Sequence, residues 1–250
     1  SSADNAAGLT ISTQLTSQIR GIGQAVSNAN DAISMVNTAD GALSEVTAML
    51  QRMRELAVQA GTGTTAATDR TYLQSEFTAL RTEIDRIADN TQWNGRNILD
   101  GSAGASTGKS TVAFGIGQDG TAAQTLSTSF GNFNNTTGKL SGLASKVITG
   151  TTITSAITVA AAAITEIDVV IADVSAQRAS FGAVSNRLTH AVDSLTNTKT
   201  NSEAARSRVL DTDYAAATSE LARTQIIQQA GTAMLAQANT MPQTVLALLQ

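Results

Sequence analysis

The chain has 250 residues, of which 42% are hydrophobic, 3% aromatic and 14% charged, and its formal net charge is −4. Small side chains dominate the apolar content, which favours long, thin helical packing over the compact core of an enzyme. The cationic residues form no cluster, so we expect no nucleic-acid partner. Cysteine is absent, which excludes disulfides, thiol catalysis and thiolate metal sites.

The chain contains no uninterrupted apolar run long enough to cross a bilayer, so we expect no membrane insertion. Its densest apolar stretch, residues 153–174, is broken by Glu166, Asp168 and Asp173. The first residues have neither an initiator Met nor the layout of a secretory signal. This predicts that the chain begins inside a longer protein.

The first predicted element is a coiled-coil-like helix of roughly fifty residues that begins near Ile11 and ends at Gly61. Its apolar residues recur at intervals of three and four and form a seam. They are Leu15, Ile19, Ile22, Val26, Ala29, Ile33, Val36, Leu43, Val46, Leu50, Met53 and Ala57. Asp40 takes one position of this seam. Gly41 follows without breaking the register, and a glycine inside a helix costs on the order of 1 kcal/mol.

A second helix is predicted from about residue 66 to Asn90, where turn-forming residues end it. One face carries its apolar residues, Tyr72, Leu73, Phe77, Leu80, Ile84 and Ile87. From about 95 to 150 the composition changes to Gly, Ser, Thr and Asn, with short β-type runs at 110–114 and 125–130. These runs predict hairpins and irregular loop in a small protruding region.

A very long final helix follows, with an apolar rhythm that thins beyond Leu195 and a weak joint near Asp211. After the joint, an almost uncharged segment carries one apolar stripe, typical of a helix that packs against other chains. This assembly stripe consists of Ile227, Met234, Met241, Val245 and Leu248.

The predicted fold is mainly α, an elongated bundle of long coiled-coil-like helices with a small β-hairpin and loop region in the middle. We expect residues 1–101 to form an N-terminal helical arm and 102–159 a short hairpin and loop region. We expect residues 160–210 to form a C-terminal helical arm and 211–250 an assembly helix.

The inventory of reactive residues predicts no catalytic site, no cofactor and no metal. His190 is the single histidine, and its place on a long helix favours a partly exposed packing residue over a general base. Asp211 and Asp213 favour capping of a helix joint over metal binding, because further oxygen ligands are missing nearby. Residues 115–120 have the glycine spacing of a nucleotide-binding fingerprint, but no βαβ context, which favours a turn.

Several motifs in chain order resemble bacterial flagellin. The most recognisable is Leu50-Gln-Arg-Met-Arg-Glu-Leu-Ala-Val-Gln-Ala, and Thr91-Gln-Trp-Asn-Gly is similar to the family's turn, where Phe is more usual than Trp. In the C-terminal half, Gln177-Arg-Ala-Ser-Phe-Gly, Asp211-Thr-Asp-Tyr and Ala230-Gly-Thr-Ala-Met-Leu are similar to the family as well. The resemblance covers residues 1–101 and about 160–250.

The resemblance assigns residues 1–101 and 160–210 to the two arms of a filament-wall domain, 102–159 to an outward-facing region and 211–250 to an inner assembly helix. It implies a structural subunit of the flagellar filament, which serves motility, with the family's inner N-terminal helix absent from this chain. It also implies an extracellular place in the flagellum or on the cell surface, and as partners other flagellin subunits, an export chaperone and the filament cap. The resemblance further implies the vertebrate innate flagellin receptor as a partner. Arg52, Leu56 and Glu76 match the positions that pack subunits and bind this receptor, and their spacing predicts a partly exposed Leu56 between charged neighbours.

Two alternatives stay open at the level of sequence. The Arg52 segment is equally consistent with a solvated helix face. The whole chain is also consistent with a flagellin-like surface binding protein, such as a polysaccharide receptor or adhesin, whose specificity lies in the middle region.

Overall fold

The computed structural model describes residues 6–104, 110–117, 124–134, 138–210 and 214–248. The helices are α1 (Ala6–Ala60), α2 (Ala67–Asn90), α3 (Ser141–Ala144), α4 (Ile153–Leu210) and α5 (Tyr214–Leu248). The strands are β1 (Gln92–Trp93), β2 (Arg96–Asn97), β3 (Thr111–Gly115) and β4 (Thr125–Ser129). The prediction of a mainly α fold with a small hairpin region is confirmed.

The chain divides into two compact units. Unit 1 combines residues 1–15 with 203–250, and unit 2 comprises residues 16–202. Unit 2 therefore holds most of α1, all of α2, the strands and most of α4. Unit 1 holds the first turns of α1, the last turns of α4 and all of α5.

The apolar seam of α1 forms the centre of the core of unit 2. Its residues from Ala29 to Ala60 pack in one cluster with apolar residues of α2, α4 and the middle region. Leu43, Val46, Leu50 and Met53 are fully buried. Each buried side chain of this size contributes about 1.5–3 kcal/mol relative to an exposed one, so this seam is the main apolar contribution of α1 to unit 2.

The seam differs from the prediction at its polar member. Ala39, not Asp40, takes the inner position, and it is fully buried. Asp40 lies at the edge of the seam, where its carboxylate accepts a hydrogen bond of 2.8 Å from Nε of Arg178 on α4. This hydrogen bond raises the pKa of Arg178 and links α1 to α4.

Helix α2 buries the predicted face except at one residue. Phe77 and Ile84 are fully buried, and Leu73, Leu80 and Ile87 pack partly buried against the core. Tyr72 is 73% exposed, which contradicts the prediction. Successive residues of a helix lie about 100° apart around its axis. Tyr72 is therefore turned away from the buried face that Leu73 and Phe77 define.

The turn between α1 and α2 is held by a buried arginine. Arg70 is 3% exposed, and its guanidinium donates to the carbonyl oxygens of Ala60 at 3.1 Å and Thr62 at 3.0 Å. The last carbonyl groups of a helix have no partner within the helix. Arg70 supplies that partner from the first turn of α2 and so fixes the angle at which the chain reverses.

The described part of the middle region packs against the core of unit 2. Strands β3 and β4 pair antiparallel, with Ala113 opposite Ser127. Asn28 of α1 donates to the carbonyl of Gly115 at 3.2 Å. The ring of Phe130 lies 5.1 Å from that of Phe181 on α4. A few large apolar residues in this Gly- and Ser-rich stretch thus suffice to bind it to the core.

Helix α4 contains an 18-residue window of mean hydropathy 1.8, so its length and composition alone would suit a membrane span. A core helix meets the same criterion. Ala156, Ala160, Ala163, Ile167 and Val170 are buried in unit 2. Packing within the chain covers 28% of this window, while Ile153, Ile157 and Val169 of the same helix stay exposed.

Arg70→Met tests whether the turn depends on these hydrogen bonds, because Met keeps the apolar stem but lacks the donors. We expect the free energy of unfolding of monomers to fall by about 2 kcal/mol, since two carbonyl groups lose a charged donor. Urea denaturation measures the change. Arg86→Ala, which removes an exposed pair with Glu83, is the matched control and should change little. Equal stabilities of the two variants would contradict the role of Arg70.

Candidate interface surfaces

The first candidate surface joins α1 to α2 through a charged pair. Nε of Arg52 donates to Oε1 of Glu76 at 2.9 Å, and Nη1 donates to Oε2 of Glu55 at 3.0 Å. These bonds raise the pKa of Arg52, with Glu76 the larger cause. The Arg52 and Glu76 side chains are 47% and 45% exposed. The structure therefore brings these two residues together, 24 positions apart in sequence, on an accessible face.

A second pair lies on the other side of α1. Nε of Arg54 donates to Oδ1 of Asp168 on α4 at 2.7 Å, and this bond raises the pKa of Arg54. Arg52 thus marks the edge of α1 that faces α2, and Arg54 marks the edge that faces α4. The residues between these edges point into the core.

Leu56 lies between those edges and is fully buried, so the prediction of an exposed leucine was wrong. At about 100° per residue, Leu50, Met53, Leu56 and Ala57 span an arc of roughly 120°. A single partner helix covers a narrower seam, whereas α1 packs against both α2 and α4. Leu56 therefore belongs to the core and offers no anchor to a partner.

The exposed apolar residue of this segment is Val58, which is 49% exposed. With Gln51, Arg54, Glu55, Gln59 and Thr62 it lines an open groove of about 590 Å³. Sequence reasoning missed Val58, although its position outside the seam was the signal that could have identified it. Among the residues that line the groove, Arg54 and Glu55 are charged and Val58 is apolar.

The second candidate surface is helix α5 of unit 1. Every described side chain in residues 218–238 is exposed. Two residues of the predicted assembly stripe lie there, Ile227 at 58% exposure and Met234 at 71%. The side chains of the other three, Met241, Val245 and Leu248, lie outside the described residues.

The apolar surface of α5 is wider than the predicted stripe. Leu221, Ile226 and Leu235 are also 58–66% exposed. Leu235 follows Met234 and lies about 100° further around the helix, while Ile226 lies about 100° to the other side of Ile227. Apolar side chains on several sides of one helix fit a helix that is covered by more than one neighbour.

The described residues show no group of three or more His, Asp or Glu side chains that could hold a metal ion. His190 is exposed on α4, whereas a partly exposed packing residue was predicted. Asp211 and Asp213 lie outside the described residues, as do the last three residues of the glycine-containing segment 115–120. That segment otherwise ends β3, where the Ile116 amide donates to the carbonyl of Gln124.

Two family models match the arms of the chain: the bacterial flagellin N-terminal helical region over residues 1–104 and the bacterial flagellin C-terminal helical region over 164–249. The flagellin of Halalkalibacterium halodurans is 41% identical over 247 residues, which cover 99% of this chain and 85% of that protein. The chain belongs to the bacterial flagellin family. The flagellin of Bacillus subtilis is 40% identical over 268 residues, covering 99% of this chain and 87% of that protein.

The architecture agrees with this assignment. The crystal structure of Bacillus cereus flagellin superposes with a TM-score of 0.54 at 32% identity, covering 72% of this chain and 94% of that one. As a flagellin, the chain is a structural subunit of the flagellar filament. The matches give no support to the alternative of a polysaccharide receptor or adhesin.

The burial of Leu56 predicts a large loss of stability on truncation. Leu56→Ala should lower the free energy of unfolding by about 2–5 kcal/mol, because it removes buried methyl groups and leaves a cavity. Val58→Ala, two residues further along and half-exposed, is the matched control and should change stability by less than about 0.5 kcal/mol. Thermal unfolding of monomers compares them, and a Leu56→Ala variant as stable as the control would place Leu56 outside the core.

Proposed function

We propose that the chain assembles into the flagellar filament by burying helix α5 against other copies of the chain. The observation that carries this proposal is the exposure of residues 218–238 along their whole length. Apolar side chains left in water are unfavourable by about 25 cal/mol per Å² of surface. Contiguous exposed apolar surface of this kind marks an interaction site.

The polar residues of α5 support the same proposal. Beyond Arg223 no Asp, Glu, Lys or Arg occurs up to the last residue, and Gln, Thr and Asn fill the positions between the apolar ones. Buried amides and hydroxyls can be satisfied by hydrogen bonds to neighbouring chains, whereas a buried unpaired charge is far more costly. The helix is thus composed for contact with protein on most sides.

We further propose that the chain functions outside the cell, as part of the filament, and that an export chaperone and the filament cap are partners. The exposed apolar surface of α5 supports a chaperone, since this helix needs cover until it reaches the filament. Both partners are otherwise inferred from the flagellin family.

A second proposal is recognition of the monomer by the vertebrate innate flagellin receptor. The exposed Arg52–Glu76 pair favours it, because it presents an arginine and two carboxylates in a fixed geometry on one face. Arginine is enriched at interface hot spots. Val58, which lies in the adjoining groove, replaces Leu56 as the apolar contact of this proposal.

Assembly is tested by Ile227→Gln combined with Leu235→Gln. We expect the variant monomer to keep the stability of the wild type, because both side chains are exposed, but to raise the concentration needed for filament formation at least tenfold. Gln228→Ala, on the same helix, is the matched control. Sedimentation and electron microscopy of the protein as the cell exports it measure assembly. Normal filaments from the double variant would refute a role of α5 in subunit contacts.

Receptor recognition is tested with purified monomers of Arg52→Ala and Val58→Ala. Each should bind the receptor about tenfold more weakly with an unchanged melting temperature, because both side chains are exposed. Leu56→Ala should lose binding only in proportion to unfolding. A wild-type monomer that does not bind, or an Arg52→Ala monomer that binds equally well, would exclude this proposal.

A further inference from the structure

Two adjoining cavities of unit 2 share Asp31 of α1 and Trp93 of β1. One has a volume of about 390 Å³ and is completed by Asn94. The other has a volume of about 280 Å³ and extends to Asn28 and the β3 residues Ala113–Gly115. Each is several times larger than the roughly 30 Å³ that one water molecule occupies in the liquid. We call this pair of cavities the Trp93 pocket.

The wall that carries Trp93 is held firmly. Trp93 pairs with Arg96 across the β1–β2 hairpin, and the two turn residues Asn94 and Gly95 have φ of 50° and 74°. Positive φ at both central positions is the geometry of a type I′ turn, which Asn-Gly adopts with little strain. The indole, partly buried, thus lies directly before a short turn of regular geometry.

The other wall carries an available negative charge. Asp31 is exposed and, among the described residues, has no hydrogen-bond or ion-pair partner. Asn28 beside it is already engaged, since it donates to the carbonyl of Gly115 and accepts from Gln24. A carboxylate next to an aromatic ring attracts a planar cation, which can bond to the carboxylate while stacking on the ring.

Few arginine and lysine side chains of unit 2 are available to bind the carboxylate and the ring of this pocket. Most are engaged with carboxylates or carbonyl groups: Arg52, Arg54, Arg70, Arg81, Arg86, Arg96, Lys139, Lys146 and Arg178. Among the described residues of unit 2, Arg20, Arg187 and Lys199 have no such partner. The guanidinium group of arginine stacks on aromatic rings and bonds a carboxylate with two parallel hydrogen bonds, which the ammonium group of lysine does not.

We propose that the Trp93 pocket binds an arginine side chain of a second copy of this chain, either Arg20 or Arg187. The proposal rests on the assembly of the chain into filaments. It adds a contact between the unit 2 surfaces of neighbouring copies that is separate from the contacts of α5. Opposite charges that have no partner among the described residues of one molecule are complementary between two molecules. Tryptophan and arginine are also the residue types most enriched at interface hot spots.

The test reverses the charges. Asp31→Arg should raise the concentration needed for filament formation at least tenfold, and combining it with either Arg187→Asp or Arg20→Asp should restore assembly toward the wild-type value. Asp193→Arg is the matched control, because Asp193 is another exposed acid with no partner among the described residues. It should assemble normally. Should Asp31→Arg reduce the helicity of monomers, Asp31→Asn serves in its place, with at least a threefold rise expected.

Trp93 is the single tryptophan of the chain, so its fluorescence reports on the pocket directly. Its emission should change as wild-type copies assemble, and the change should be absent from Asp31→Arg copies at a concentration that forces them into filaments. Three results would overturn the proposal: normal assembly of Asp31→Arg, a defect that neither second substitution relieves, or Trp93 emission that does not respond to assembly. If the wild type forms filaments and the α5 variant does not, such a result removes the Trp93 pocket contact alone and leaves the proposed function intact.

Discussion

The burial of one side of α1 between α2 and α4 is the constraint on which unit 2 depends. An α-helix that packs on one neighbour buries a narrow seam, but α1 buries an arc that includes Leu56 as well as Met53 and Ala57. The width of this arc fixes where its charged residues emerge. Arg52 reaches Glu76 at one edge, and Arg54 reaches Asp168 at the other. Exposed ion pairs of this kind add little to stability, so their main effect is to define which residues line the surface.

Much of the fold could be predicted because its determinants are local. Helix α1 was predicted to end at Gly61 and ends at Ala60, and α2 was predicted over 66–90 and spans Ala67–Asn90. The β-type runs at 110–114 and 125–130 correspond to strands Thr111–Gly115 and Thr125–Ser129. Apolar periodicity, turn residues and β-branched runs act over a few positions, and the single sequence contains them.

The features that escaped prediction depend on which elements meet in space. The apolar seam of α1 predicted packing against one partner helix. Leu56 is buried because α1 packs against two helices, α2 and α4. In the sequence, Arg70 is an ordinary charged residue in the first turn of α2. Its role depends on the carbonyl groups at the end of α1, which accept its hydrogen bonds. The middle region was predicted as hairpins and irregular loop, and the contact of Phe130 with Phe181 of α4 was not anticipated. The shared face of Arg52 and Glu76 was anticipated through the resemblance to flagellins. Apolar periodicity describes the faces of one helix and does not show which residues of a second helix lie beside them.

The two units satisfy their apolar residues in different ways, and this difference follows from their composition. Unit 2 contains the large buried side chains, such as Phe77, Phe130 and Phe181, and it closes its own core. In unit 1 the described side chains of α5 leave their apolar groups in water. Burying one large apolar side chain contributes about 1.5–3 kcal/mol. Contact between α5 and another copy therefore stabilises the assembly by an amount that is not available within a single chain. A subunit with one self-sufficient unit and one helix that needs neighbours is stable before assembly and is stabilised further by it.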